Sequence, residues 1–284
     1  MLVINSASEL DKLVFGFKRN NDSIAFVPTM GNLHDGHLNL IRIAHQQAPI
    51  IIVSIFVNPL QFNQTEDLVN YPRTLKNDIQ YCENNNVDIL FVPSVNDIYP
   101  EGSEASRVEL PELSFLSNTL EGKARPGHFS GVITVVKKLF ELVNPDVAIF
   151  GEKDFQQLLI IRKMVEVLKF GVKIISSETI REKSGLAMSS RNTNLSLEER
   201  HKAALILNVL KSIRQKIISG EQEFNAMTTA GILELTHSGF QVDYLVVCDC
   251  DNLQMSSGNN NNARVILIAV WLSDIRLIDN LRIE

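Results

Sequence analysis

The chain has 284 residues, 45% of them hydrophobic and 21% charged, and a formal net charge of −6. That length and apolar content suit one large or two smaller globular domains with a substantial core. The negative balance argues against a broad nucleic-acid surface, although it leaves room for a local basic cleft that takes a small anion.

The first residues, MLVINSASELDKL, lack a basic start followed by an apolar run, and no stretch of roughly 18 residues stays apolar without polar interruption. Neither a secretion signal nor a membrane span is expected, and a cytoplasmic location is. From residue 23 to 180 apolar strands alternate with helical periodicity. The strand candidates are SIAFVPT, PIIIVSIFV, VDILFVPS, DVAIFG and VKIISSETI, and the helical segments fall near 38–47, 74–86, 130–143 and 154–169. That order predicts an α/β fold with a Rossmann-like doubly wound parallel sheet, whose sites lie at the carboxyl ends of the strands.

After about residue 182 the pattern changes. Ser196 and Glu199 have capping-box spacing and open one long amphipathic helix in SLEERHKAALILNVLKSIRQKI. A second helix, two strands (FQVDYLVVCD and ARVILIAVWL) and a polar turn, SGNNNNA, complete a smaller α+β domain. The expected division is 1–182 for the nucleotide-binding domain and 183–284 for a lid. Cys82, Cys248 and Cys250 cannot all pair, and the Cys248/Cys250 spacing lacks further nearby ligands, so reduced structural cysteines are expected rather than zinc.

Several strands of the first domain end in polar residues that packing does not require. PTMGNLHDGH follows the first, FVNPLQF the second and GEKDFQQ the DVAIF strand, while EGKARPGHFSGV and GLAMSSRN complete the set. Gly31 lets a backbone approach a ligand, a helix beginning near Asp35 offers amides to a phosphate, and His34 and His37 can donate to the same anion. Lys153, Ser189, Ser190 and Arg191 add donors suited to a triphosphate, while Lys123, Arg125 and His128 sit around a Pro-Gly turn that would line the same cleft, a solvated loop being the alternative for Lys123 and Arg125. Asn58, Gln61 and Gln157 both donate and accept, which fits a substrate with hydroxyl, amide or carboxylate groups better than it fits phosphate. No GxxxxGK[ST] and no GxGxxG occurs, so neither a Walker-type ATPase nor a dinucleotide enzyme is supported. His34 and His37 can alternatively cap the helix. A zinc site is disfavoured, because H-x-x-H lacks the i,i+4 spacing and the third ligand of helical zinc sites.

PTMGNLHDGH resembles the HxGH signature of the nucleotidylyl-transferase superfamily. Together with FVNPLQF, YPRT, PGHFSGVITVV, GEKDFQQ, MSSRN and RLIDN, it resembles the pantothenate synthetase family from residue 22 to 280. The resemblance implies an ATP-dependent ligase that joins pantoate to β-alanine through a pantoyl adenylate, needs Mg²⁺ and works as a homodimer without nucleic acid or membrane. It also implies that ATP is held by Met30, Gly31, Asn32, Leu33, His34, Asp35, Gly36 and His37, by Gly151, Glu152, Lys153 and Asp154, and by Ile180, Met188, Ser189, Ser190 and Arg191. His34, His37, Lys153 and Arg191 form the implied catalytic set, and Gln61 and Gln157 hold pantoate, with Gln61 also meeting β-alanine. Asn58 would line the pantoate pocket and Arg125 would reach into the cleft. The Mg²⁺ ligands are left unassigned, with Asp78 and the phosphates as candidates. Other readings are a nucleotidylyltransferase that stops after transfer and a regulatory nucleotide-binding module.

Overall fold

The computed structural model describes residues 1–256 and 262–283. It divides into two compact units, Met1–Glu152 with Ile160–Glu178, and Lys153–Leu159 with Thr179–Glu284. The division thus falls after Glu178, and the second unit also takes residues 153–159. Of the SGNNNNA turn, residues 257–261 lie outside the described residues.

The first unit is a six-stranded sheet in which every paired neighbour runs parallel: β1 (Leu2–Ile4), β2 (Ile24–Thr29), β3 (Ile50–Ile55), β4 (Ile89–Phe91), β5 (Val147–Gly151) and β6 (Lys173–Ser177). Their spatial order is β1-β4-β3-β2-β5-β6, the doubly wound arrangement expected. Successive strand residues point to opposite faces. Ala25, Val27, Ile51 and Val53 accordingly share one core with Leu40, Ile41 and Ala44 of the helix Asp35–His45 and Cys82 of the helix Leu75–Asn84. On the alternate positions, Phe26 and Phe150 each meet the Phe140 ring of the helix His128–Val143 edge-on, with centroids 6.4 Å apart. A parallel sheet covered on both faces needs near-continuous apolar strands, and Ile24 through Val27 are fully buried. The short edge strand β1 and the helix Ala7–Arg19 had no counterpart in the sequence reading.

Pro28 sits in a central strand, where proline is normally excluded because it has no N–H for the ladder. The Ile24 carbonyl accepts from Asp146 at the β5 side and the Thr29 carbonyl from Phe56 at the β3 side. Alternation therefore turns Pro28 toward β5, and the β2–β5 register ends at Phe26 and Ala148. The two strands part at their carboxyl ends, at the point where the strand order reverses.

The second unit carries an antiparallel sheet ordered β7-β8-β9: β7 (Gln241–Asp249), β8 (Arg264–Leu272) and β9 (Ile275–Ile283). Helices Leu205–Ile218 and Phe224–His237 contribute Ile206, Leu210, Ile213, Met227 and Leu235 to its core. The Ser196–Glu199 capping box is present, with Ser196 N–H donating to Glu199 at 2.8 Å and Glu199 N–H to Ser196 Oγ at 3.2 Å. The single long helix expected after it is two, Leu197–Ala203 and Leu205–Ile218. The break lies at Ala204, whose N–H bonds three residues back to His201. β9 was not anticipated as a strand.

All three cysteines are free and buried. Burial pushes the Cys82 and Cys248 thiols up to about 12, so both stay protonated and inert at neutral pH. Among the described residues no helix is long and apolar enough to cross a membrane.

The turn Pro59–Gln61 after β3 packs on the His128–Val143 helix backbone to backbone. A Cβ on Gly131 would press into the Leu60 carbonyl and stand 2.7 Å from the Gln61 nitrogen. Gly131→Ala should therefore destabilise by roughly 1–3 kcal/mol through overpacking, although alanine is the better helix former. The change should appear as a lower urea midpoint at unchanged slope; an equal or higher midpoint would mean that the turn yields.

Candidate active site

β2 delivers the PTMGNLHDGH segment to the sheet edge, and a buried carboxylate shapes it there. Thr29 Oγ1 donates to the Ser54 carbonyl at 2.7 Å and accepts from Gly31 N–H at 3.2 Å. Gly31 then takes φ +82°, and any Cβ there would lie 3.2 Å from Asp78 Oδ2. Asp78, 2% exposed, accepts from the amides of Asn32 and Leu33 at 3.0 and 2.8 Å and from the Thr74 hydroxyl at 3.2 Å. The residue considered above for Mg²⁺ is thus committed to holding the turn. Burying a carboxylate is costly unless its oxygens are satisfied, and here amides that a turn would otherwise leave orphaned satisfy them.

His34 and His37 cap the helix reciprocally. His34 Nδ1 accepts from Gly36 N–H at 3.1 Å, His37 Nδ1 accepts from His34 N–H at 3.2 Å, and the rings lie 4.2 Å apart. The capping alternative is therefore real, and it does not exclude a chemical role. A ring whose Nδ1 accepts carries its proton on Nε2 when neutral, so both histidines are Nε2–H donors at the positive end of a helix dipole.

The FVNPLQF segment is held from behind. Asn58 is 1% exposed; its Oδ1 accepts from the Tyr99 hydroxyl at 2.8 Å and from Leu60 N–H at 3.2 Å. Its Nδ2 donates to the Gly131 carbonyl at 3.0 Å and to Gln61 Oε1 at 3.2 Å. Gln61 Nε2 reaches the Met30 sulfur at 2.9 Å, bringing two expected site segments together. The Gln61 carbonyl accepts from His128 Nδ1 at 2.8 Å and Arg125 at 3.2 Å. Arg125 also contacts His128 Nε2 at 3.3 Å, and because arginine can only donate, this fixes the neutral Nδ1–H tautomer. Asn58 and Arg125 thus both make hydrogen bonds within the chain, and Lys123 is exposed. Tyr99, whose hydroxyl backs Asn58, gave no sign in the sequence, since a tyrosine in a loop carries no spacing signal.

Gly151 ends β5 and Glu152 follows it in the first unit, whereas Lys153, Asp154 and Gln157 belong to the second, with Gln157 half-buried in the helix Phe155–Val167. Lys153 Nζ lies 3.9 Å from Asp154. Also in the second unit, Ile180 and Met188 close a hairpin: Met188 N–H donates to the Ile180 carbonyl at 2.9 Å. Ser189 Oγ accepts from Arg191 N–H at 3.3 Å, which starts a tight turn over Ser190–Asn194. Buried Asn192 ties that turn down by donating to Glu182 and to the Ala187 carbonyl at 2.8 and 3.0 Å. Among the described residues no group of three or more His, Cys, Asp or Glu is placed to hold a metal ion.

Comparison with known proteins finds relatives along nearly the whole chain. The family model described as pantoate-beta-alanine ligase matches residues 2–282. Pantothenate synthetase from Thermus thermophilus is 40% identical, with a TM-score of 0.92 over 100% of this chain and 99% of that one. Pantoate-beta-alanine ligase from Francisella tularensis, solved in complex with β-γ ATP and β-alanine, is 36% identical, with a TM-score of 0.80 over 99% and 97%. From residue 2 to residue 282, the chain belongs to the pantoate–β-alanine ligase family of enzymes.

Proposed function

We propose that the chain makes pantothenate in two steps. A pantoate carboxylate oxygen attacks the α-phosphorus of ATP and expels pyrophosphate, giving pantoyl adenylate. The β-alanine amine then attacks the acyl carbon and expels AMP. No covalent enzyme nucleophile is needed, and catalysis rests on positioning and on donors aimed at developing phosphate charge. The observation that carries this reading is the reciprocal His34–His37 cap, which sets two Nε2–H donors at the head of a helix in a chain of this family.

In this reading Met30–His37, Gly151–Asp154, Ile180 and Met188–Arg191 bind ATP, and Lys153 and Arg191 act with the two histidines on the phosphates. Gln61 and Gln157 hold pantoate, and Asn58 and Arg125 serve Gln61. Mg²⁺ would enter with ATP, held by the phosphate oxygens and at most one or two carboxylates, in keeping with the absence of a clustered donor set among the described residues. When bound it would neutralise charge on the phosphates. The reading also carries a cytoplasmic homodimer, which sedimentation of the purified protein would check.

ATP, Mg²⁺ and pantoate without β-alanine should exchange labelled pyrophosphate into ATP, and β-alanine should then divert the adenylate to AMP and pantothenate one to one. Exchange that requires β-alanine would overturn the order of steps. Release of pyrophosphate with no amide formed would indicate a nucleotidylyltransferase, and ATP binding with no turnover a regulatory module. Lys153→Ala should weaken the exchange strongly, because it removes a compact positive charge.

His37→Ala should slow adenylation by about 10²-fold through loss of a preorganised donor, and should cost ~1 kcal/mol of stability through loss of a cap. His37→Asn keeps an acceptor for the His34 amide, so it should restore the melting temperature but not the rate. Single-turnover adenylate formation at the parental rate in either variant would remove His37 from the chemistry.

A further inference from the structure

Two polar residues are buried in an edge strand of the second unit, and the proposed reaction does not by itself account for them. Asp279 and Asn280 of β9 are each 5% exposed. Asp279 takes a two-pronged ion pair from Arg181, with NH1 to Oδ2 at 2.6 Å and NH2 to Oδ1 at 2.9 Å, and also accepts from the Asn280 backbone N–H at 2.8 Å. Arg181 NH2 further donates to the Asn280 carbonyl at 3.3 Å, and NH1 to the Gly185 carbonyl at 3.1 Å. Arg181 pairs by a β-bridge with Ala187, so the guanidinium fastens both arms of the hairpin that carries Ile180 and Met188. Asn280 Nδ2 donates to the carbonyl of Lys153 at 2.9 Å. Adjacent residues of one strand therefore grip the GEKD turn and the hairpin leading into MSSRN.

We infer that Asp279 and Asn280 are positioning residues for ATP, holding Lys153 and the Met188–Arg191 segment in a common frame. The inference rests on the proposed assignment of those segments to the triphosphate. A paired carboxylate in an edge strand is a poor stability device, because apolar residues of similar volume serve stability as well or better. A planar, two-pronged pair does fix geometry, and Lys153 can meet a phosphate as a point charge only if its backbone is held.

The test is a double-mutant cycle on ATP affinity. Asn280→Ala should weaken ATP binding about tenfold, the loss expected for one buried hydrogen bond, with the circular dichroism unchanged. Asn280→Asp, isosteric but lacking the donor, should do the same and provides the reading should the alanine variant not fold. In a Lys153→Ala background either substitution should change ATP affinity by less than about twofold, because a residue that acts through Lys153 has nothing left to act on. Arg181→Lys, which loses the fork, should likewise lose its effect in an Arg191→Ala background. Equal losses in both backgrounds would overturn the inference, since a strand that only supports the fold would show them. Unimpaired ATP binding by Lys153→Ala alone would instead overturn the assignment of Lys153, and this inference with it; that failure is recognised without any substitution at position 280.

Discussion

A missing hydrogen bond organises the first unit. Pro28 has no N–H to offer β5, so the ladder between the two central strands stops at Phe26 and Ala148, and the sheet opens at its carboxyl edge. The segments after β2 and β5 leave from either side of that opening. A donor at position 28 would extend the ladder toward the Gly31 turn, so the proline that looks costly in a central strand is what keeps the edge divided. Around the opening, strand ends are secured by groups that also satisfy the backbone: Asp78 under the glycine turn, Thr29 across to Ser54, and Asn39 Nδ2 on Ser177 Oγ at 2.7 Å.

The same economy recurs at His34, His37 and Gln61. His34 and His37 use one ring nitrogen to end the helix and keep the other as a donor. Gln61 is held by its carbonyl as well as by its side chain. The two histidine rings have their rotamers set by backbone amides, whose role cannot change, whereas the Gln61 side chain is set by Asn58 Nδ2 and the Met30 sulfur. That is what preorganisation requires, because a donor that must first be oriented loses part of its worth to entropy.

Much of this was legible in the sequence. Apolar strands alternating with helical periodicity are unambiguous when both sheet faces are covered, and a histidine pair behind a glycine at a strand end is a strong pointer. What escaped was of two kinds. β1 is three residues long and half exposed, too short to carry a period. β9 was hidden by Asp279 and Asn280, which break the apolar alternation because they are buried to pair with Arg181 and Lys153 rather than to fill a core. Asn58 and Arg125 could be placed in the right neighbourhood, but which way a polar side chain turns depends on partners such as Tyr99 and Gly131 for Asn58 and the Gln61 carbonyl for Arg125, 41 to 73 residues away. The domain border shifted for a related reason: a turn and the first helical residues after it cluster with a strand more than 120 positions later.

The orientation of the Gln61 amide follows by force. Leu60 N–H can only donate, so the Asn58 atom facing it is oxygen; the Gly131 carbonyl can only accept, so the atom facing that is nitrogen. The Asn58 amide cannot flip, and its nitrogen in turn obliges Gln61 to present oxygen inward and NH₂ outward. A side chain that is ambivalent in a free amino acid becomes one of fixed polarity. In the proposed reading, where Gln61 holds pantoate, the NH₂ it turns outward would match an incoming carboxylate or hydroxyl oxygen and would meet an amide NH₂ or an ammonium donor against donor. On that reading, discrimination among molecules of equal size and shape would rest on a tyrosine and two peptide groups that such a molecule need not touch.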